Sequence, residues 1–272
     1  MMKRRTILAI LLVLALLPAA ACGEASPCLD ASLSMLEDGN PFLNAYNRLT
    51  GRNIRARFEL GCPYFFGGSD YSIIGKTRKA WQDSTYYKDG VWYPAGFDCS
   101  GFTKWVMQES GWQVHPSLST LLDSTAAIPG TESAAAWELP GLLQVGDLLV
   151  IRHGNYGYHV MMYIGTLLDF GYHPEWLPDG LKDKAGHPLV IHCSSNRDYS
   201  IRYETWCRQN ANWATTTDGG VMVSILNCSA DGCDGVLQNL DYTSSPYFLL
   251  EGYHLTVYNT QPTDRIKWVR WR

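Results

Sequence analysis

The sequence predicts an α+β fold: one helix, early in the main body of the chain, packed against an antiparallel sheet. Two observations carry this. Cys99 to Glu109 places Phe102, Trp105, Val106 and Met107 at helical intervals and stops near Gly111, a common helix terminator. After Gly146 the pattern changes to short apolar runs separated by turn residues, which is how strands of one sheet are written. A helix followed by a series of strands indicates segregated helix and sheet layers.

Taken in order, the chain opens on Lys3-Arg4-Arg5, an almost unbroken apolar run from Ile7 to Leu17, Pro18, and the small residues Ala19-Ala20-Ala21 before Cys22. A basic head, a short apolar stretch and a small-residue exit make residues 1–21 a secretory signal peptide. The run is short for a bilayer-spanning helix. Two outcomes stay open: cleavage near Ala21 with secretion to the cell wall, or lipid attachment at Cys22. The exit resembles a bacterial lipoprotein signal, with Ala19 where a large aliphatic residue is usual.

Residues 22–60 read as an N-terminal helical segment of two short helices, interrupted at Gly39-Asn40-Pro41. Residues 69–97 carry seven aromatics and few aliphatics, so a long excursion rather than regular core is expected there. Asp98 or Ser100 is placed to cap the helix that follows. Strands are expected at 147–151, 159–164, 189–192, 221–226, 253–258 and 266–271. We assign 61–272 to one domain, with insertions at about 69–97 and 168–188.

Composition narrows the function classes. The chain has 272 residues and a formal charge of −4. Removing 1–21 takes away three basic residues and no acidic ones, which moves the charge to −7. No Lys/Arg cluster remains, so neither nucleic-acid binding nor a polybasic membrane contact is indicated. No internal repeat, heptad run or low-complexity linker is present, and a monomer is expected. Export permits disulfides among the eight cysteines. Leaving out Cys22 and Cys99, the other six allow many pairings; Cys228 and Cys233, flanking the turn string Ser-Ala-Asp-Gly, are the first pair to consider.

Cys99 stands at the start of its helix, where unpaired N–H groups and the positive end of the helix dipole favour thiolate over thiol. That suits acyl-transfer chemistry, although an inert buried cysteine is the commoner case. Its surroundings shift the balance. Tyr64-Phe65-Phe66-Gly67-Gly68 precedes it, Asp98-Cys99-Ser100-Gly101-Phe102 contains it, and Gly146-Asp147-Leu148 follows. His159-Val160-Met161-Met162-Tyr163-Ile164-Gly165 and Val190-Ile191-His192-Cys193-Ser194-Ser195 complete the set.

In that order these pieces resemble the NlpC family of bacterial cell-wall cysteine peptidases, over about residues 61–195. The resemblance implies a papain-like fold, with Cys99 as nucleophile, His159 as base and His192 as the residue that orients the base. It also implies Tyr64 as an oxyanion or positioning residue, and Asp98 and Ser100 near the substrate, although capping alone would account for the last two. The implied reaction is hydrolysis of an amide bond in peptidoglycan stem peptides, between D-glutamate and the following diamino acid. No cofactor is implied.

On an extended strand His159, Met161 and Tyr163 share one face and Val160, Met162 and Ile164 the other. His159 is thereby free to address the helix start while alternate residues fill the core. Both insertions begin or end beside these residues, so both are expected to border the cleft, and they either select the stem peptide or simply cover exposed sheet. Cys193 departs from the family's small residue; a disulfide there would fix His192 or make the site redox-sensitive.

Three other readings compete. A papain-like amidase or acyl hydrolase acting on a different substrate would use the same residues. A catalytically inactive wall-binding module would bind without turnover. A zinc site on Cys99, His159 and His192 lacks any Cys-x-x-Cys or His-x-x-x-His spacing. His115, His153, His173, His187 and His254 have no partner at a recognisable spacing; His153, just before His159, is either cleft-lining or a solvated loop residue.

Overall fold

The structure is a computed structural model. It describes residues 26–58, 61–62, 64, 87–88, 91–92, 96–112, 131–152, 158–195, 219–228, 247–259 and 265–270. The expected signal peptide (residues 1–21), Cys22, His115, His153 and Cys233 lie outside the described residues, and with Cys233 the expected pairing to Cys228. No described helix is long and apolar enough to cross a membrane.

Two short helices open the described chain, α1 (Pro27–Leu33) and α2 (Pro41–Thr50). The expected interruption between them has a local cause. The Asn40 side chain accepts the Phe42 N–H at 3.0 Å, and Pro41 supplies a first-turn residue that has no N–H to satisfy. Gly51, at φ 67°, closes α2 in a left-handed conformation. Residues 51–58 leave the helix, so the helical segment ends earlier than the sequence pattern suggests.

Within the aromatic excursion, β1 (Tyr87–Lys88) and β2 (Val91–Trp92) form a small antiparallel ribbon where irregular chain was expected. Helix α3 (Cys99–Glu109) follows. The remaining strands are β3 (Thr131–Ala135), β4 (Leu148–Arg152), β5 (Tyr158–Thr166), β6 (Pro188–Ser195), β7 (Gly219–Asn227), β8 (Tyr247–Leu250), β9 (Tyr253–Asn259) and β10 (Arg265–Val269). They make one eight-stranded sheet in the order β3-β10-β4-β5-β6-β7-β9-β8.

Helix α3 packed on this sheet, antiparallel except for the parallel pair β7–β9, gives the papain-like α+β arrangement. The parallel pair has a simple origin. Strand β8 lies between β7 and β9 in the chain and turns back onto β9 through the two-residue loop Glu251-Gly252, both at positive φ. That is the conformation a tight hairpin turn demands.

Both faces of the sheet are buried. Val160, Met162, Ile164, Ile191 and Val223 join the three helices in one apolar cluster; Leu149, Met161, Tyr163, Val190 and Trp268 join a second on the other face. This explains why the strands read as continuous apolar runs rather than alternating ones. It also corrects the expectation that only one side of β5 fills the core.

The N-terminal helices belong to the first cluster. Phe42, fully buried on α2, makes edge contacts with Phe170, Tyr172 and Tyr253 at ring-centre distances of 5.4, 6.0 and 5.9 Å. The 167–187 stretch therefore packs on α2 and the β8–β9 hairpin. Strand β5 carries the chain about 20 Å from His159 before that stretch begins. It lies at the opposite end of β5 from His159, where the sequence expectation had it border the cleft. Phe42→Ala should lower unfolding stability by about 3–5 kcal/mol, the usual cost of deleting a buried aromatic; chemical denaturation checks this.

Gly146 opens the sheet's central half at φ 94°, and a Cβ there would come within 2.7 Å of the Trp112 ring. Only glycine satisfies both the backbone and the contact. The next residue, Asp147, is buried and accepts hydrogen bonds from Arg270 Nε at 3.0 Å and Arg270 Nη2 at 2.9 Å. The Gly-Asp-Leu string thus locks β4 to the end of β10.

Candidate active site

Asp98 has extended backbone, and its carboxylate accepts the Gly101 N–H at 2.7 Å and the Ser100 hydroxyl at 2.8 Å. It is the N-cap of α3, and Ser100 completes that cap. Phe97, Phe102, Val106 and Met107 are fully buried and anchor the helix, with Phe97 also touching the Trp105 ring at 5.9 Å. Cys99 stands on the first turn, partly exposed, with its thiol at the backbone N–H of Val160.

That contact places Cys99 beside the residue following His159. Cys99, His159 and His192 lie close together. His159 Nε2 and His192 Nδ1 are 2.9 Å apart, with the rings nearly perpendicular at 89°. His192 is fully buried and His159 is 6% exposed, so the pair is held in a low-dielectric setting where this hydrogen bond is strong. The two nitrogens face each other directly in this hydrogen bond.

The second imidazole nitrogen of His192 meets a residue that sequence reasoning missed. Its Nε2 is 2.9 Å from the hydroxyl of Ser224, buried in β7. A signal was present: a lone hydroxyl inside Val221-Met222-Val223-Ser224-Ile225-Leu226 must find a partner once buried. His192 also lies 5.5 Å, ring to ring, from Tyr258.

Cys193 sends its thiol hydrogen to the Phe97 carbonyl at 3.1 Å. This ties the residue after His192 to the residue two before Cys99. Tyr64 forms a backbone bridge to Phe97 and, like Cys99, packs against the first cluster. Two of the other histidines have structural settings. His187 Nδ1 accepts the Cys228 N–H at 2.9 Å, and His173 rests edge-on against Trp176.

The electrostatics of Cys99 run opposite to the expectation. Burial pushes its thiol up to about 11, and the adjacent Asp98 carboxylate adds to the rise; the N–H groups of Val160 and Ser100 offset only part of it. The resting group is a neutral thiol at neutral pH. Nucleophilic chemistry here requires a base at the moment of attack.

A helix-start cysteine beside two hydrogen-bonded buried imidazoles, on a helix packed against a largely antiparallel sheet, defines a papain-like cysteine hydrolase. Residues 61–204, just over half of the chain, match the NlpC/P60 family, and the chain belongs to that family. No curated protein matches the chain.

Proposed function

We propose that the protein is an exported cysteine peptidase that hydrolyses an amide bond in peptidoglycan stem peptides, between D-glutamate and the following diamino acid. The observation that carries this reading is the His159–His192 hydrogen bond beside Cys99 in a chain of the NlpC/P60 family. The signal-like residues 1–21 would deliver it to the wall side of the membrane, anchored at Cys22 or released.

In this reading the Cys99 sulfur attacks the carbonyl carbon while His159 takes the thiol proton. The tetrahedral oxyanion is met by the Cys99 backbone N–H and the Tyr64 hydroxyl. His159 then gives its proton to the departing amine, leaving an acyl-enzyme thioester. Water, deprotonated by the same imidazole, releases the acid. His192 holds His159 in position, and Asp98 and Ser100 border the peptide while capping α3.

Purified peptidoglycan incubated with the reduced protein should yield new peptide fragments whose masses identify the bond. Cleavage at the sugar–peptide amide would convert the reading to an amidase. Binding of peptidoglycan without fragments would convert it to an inactive wall-binding module.

A further inference from the structure

We propose that Ser224 is a positioning residue of this site: its hydroxyl accepts the Nε2–H of His192 and holds both imidazoles in the tautomer that leaves His159 Nδ1 to take the Cys99 proton. For its catalytic consequence this rests on the peptidase reading above; for its proton arrangement it does not.

The argument follows the hydrogens. Each neutral imidazole carries one, and a single hydrogen bridges His159 Nε2 and His192 Nδ1 across 2.9 Å. If His159 is to accept a proton on Nδ1, its own hydrogen sits on Nε2 and is donated to His192. His192 Nδ1 must then be bare, which puts the His192 hydrogen on Nε2. That nitrogen is 2.9 Å from Ser224 Oγ.

Once His159 has taken the thiol proton, both its nitrogens carry hydrogen. His192 can then meet it only with a bare Nδ1, so its Nε2–H needs an acceptor at the step where charge develops. His192 and Ser224 are both fully buried, so an unaccepted N–H there is costly. Ser224 is also well placed to stay fixed. It lies on β7 opposite Val190 of β6 on one side and Thr256 of β9 on the other. His192 shares its strand face with Val190, and Ser224 shares its face with Leu226; both Val190 and Leu226 enter the second apolar cluster. His159 continues the register of Met161, in the same cluster. The three side chains therefore form a line across β5, β6 and β7 on one face of the sheet.

The ring nitrogens of a ¹⁵N-labelled protein report this directly by NMR, with the His192 signals assigned by their loss in His192→Gln. Protonated Nε2 and bare Nδ1 on His192 are expected in the unsubstituted protein. Protonation of His192 on Nδ1 would overturn the proposal, and this reading needs neither substrate nor a substitution at Ser224. In folded Ser224→Ala, alkylation of Cys99 by iodoacetamide at neutral pH should slow about ten-fold or more, with the His192 pattern altered. Ser224→Thr, which keeps the hydroxyl, should restore both. An unchanged alkylation rate in Ser224→Ala would equally overturn it. If the nitrogens behave as stated but peptidoglycan is not cleaved, the substrate assignment fails and the role of Ser224 stands.

Discussion

Cys99→Ala is expected to release no peptide from peptidoglycan while unfolding at nearly the same temperature as the unsubstituted protein. The first half follows from chemistry, because a methyl group has no lone pair to attack a carbonyl and nothing else on the first turn of α3 can replace the sulfur. The second half follows from how α3 is held. Its start is fixed by the Asp98 carboxylate on the Gly101 N–H, and its buried face by Phe102, Val106 and Met107. None of these contacts involves the Cys99 side chain, which is partly exposed. Losing one sulfur from such a position costs little packing. Residual turnover in a pure preparation, measured by fragment mass spectrometry, would remove Cys99 from the mechanism.

His159→Ala should lower turnover by roughly 10²–10⁴-fold, the range for a positioned acid–base group. The thiol supplies an independent check on that magnitude. With its pKa at about 11, a Cys99 acting unaided is ionised to only about one part in ten thousand at pH 7. A reaction forced to rely on that fraction falls near the upper end of the range. The sign of the pH dependence follows. Without His159, alkylation of Cys99 should keep accelerating as pH rises toward about 11, because only direct loss of the thiol proton makes the nucleophile. With His159 present, the reactive form should be available at lower pH. Coincident rate profiles for the two proteins would show that the imidazole does not serve the thiol.

Much of this site was legible because its parts are short strings with local causes. Asp98-Cys99-Ser100-Gly101 is a cap followed by a helix, and the cap forms as its residues dictate. His159 and His192 sit on strands whose apolar runs mark them plainly, and the gap of thirty-three positions between them hid only a packed excursion. Of the strands missed, β8 (Tyr247–Leu250) is an apolar run that was passed over, whereas β3 had a weak local signal. Thr131-Glu-Ser-Ala-Ala lacks a run of branched or aromatic residues and becomes β3 because β10 offers it an edge.

The sign of the Cys99 shift was misjudged for a different reason. A helix start can be recognised from its neighbours in sequence, but burial is set by residues far along the chain. The same applies to Ser224, whose meaning appears only when β7 lies beside β6. The destination of the 168–188 stretch depended on Phe42, more than a hundred positions upstream, and no local pattern announces such a partner.

The position of β10 carries one more consequence. This strand comes far downstream of β3 and β4, yet it sits between them. A chain emerging N-terminus first can assemble α1, α2, α3 and the β4–β5–β6 meander early, but β3 has nowhere to dock until residues 265–269 have appeared. Closing a loop of that length is slow, and the waiting strand edges are adhesive. Completion of the sheet therefore waits for residues 265–269 and is late relative to the β4–β5–β6 meander. Until it occurs, the outer edge of β4 is open to capture by chaperones or by another nascent chain.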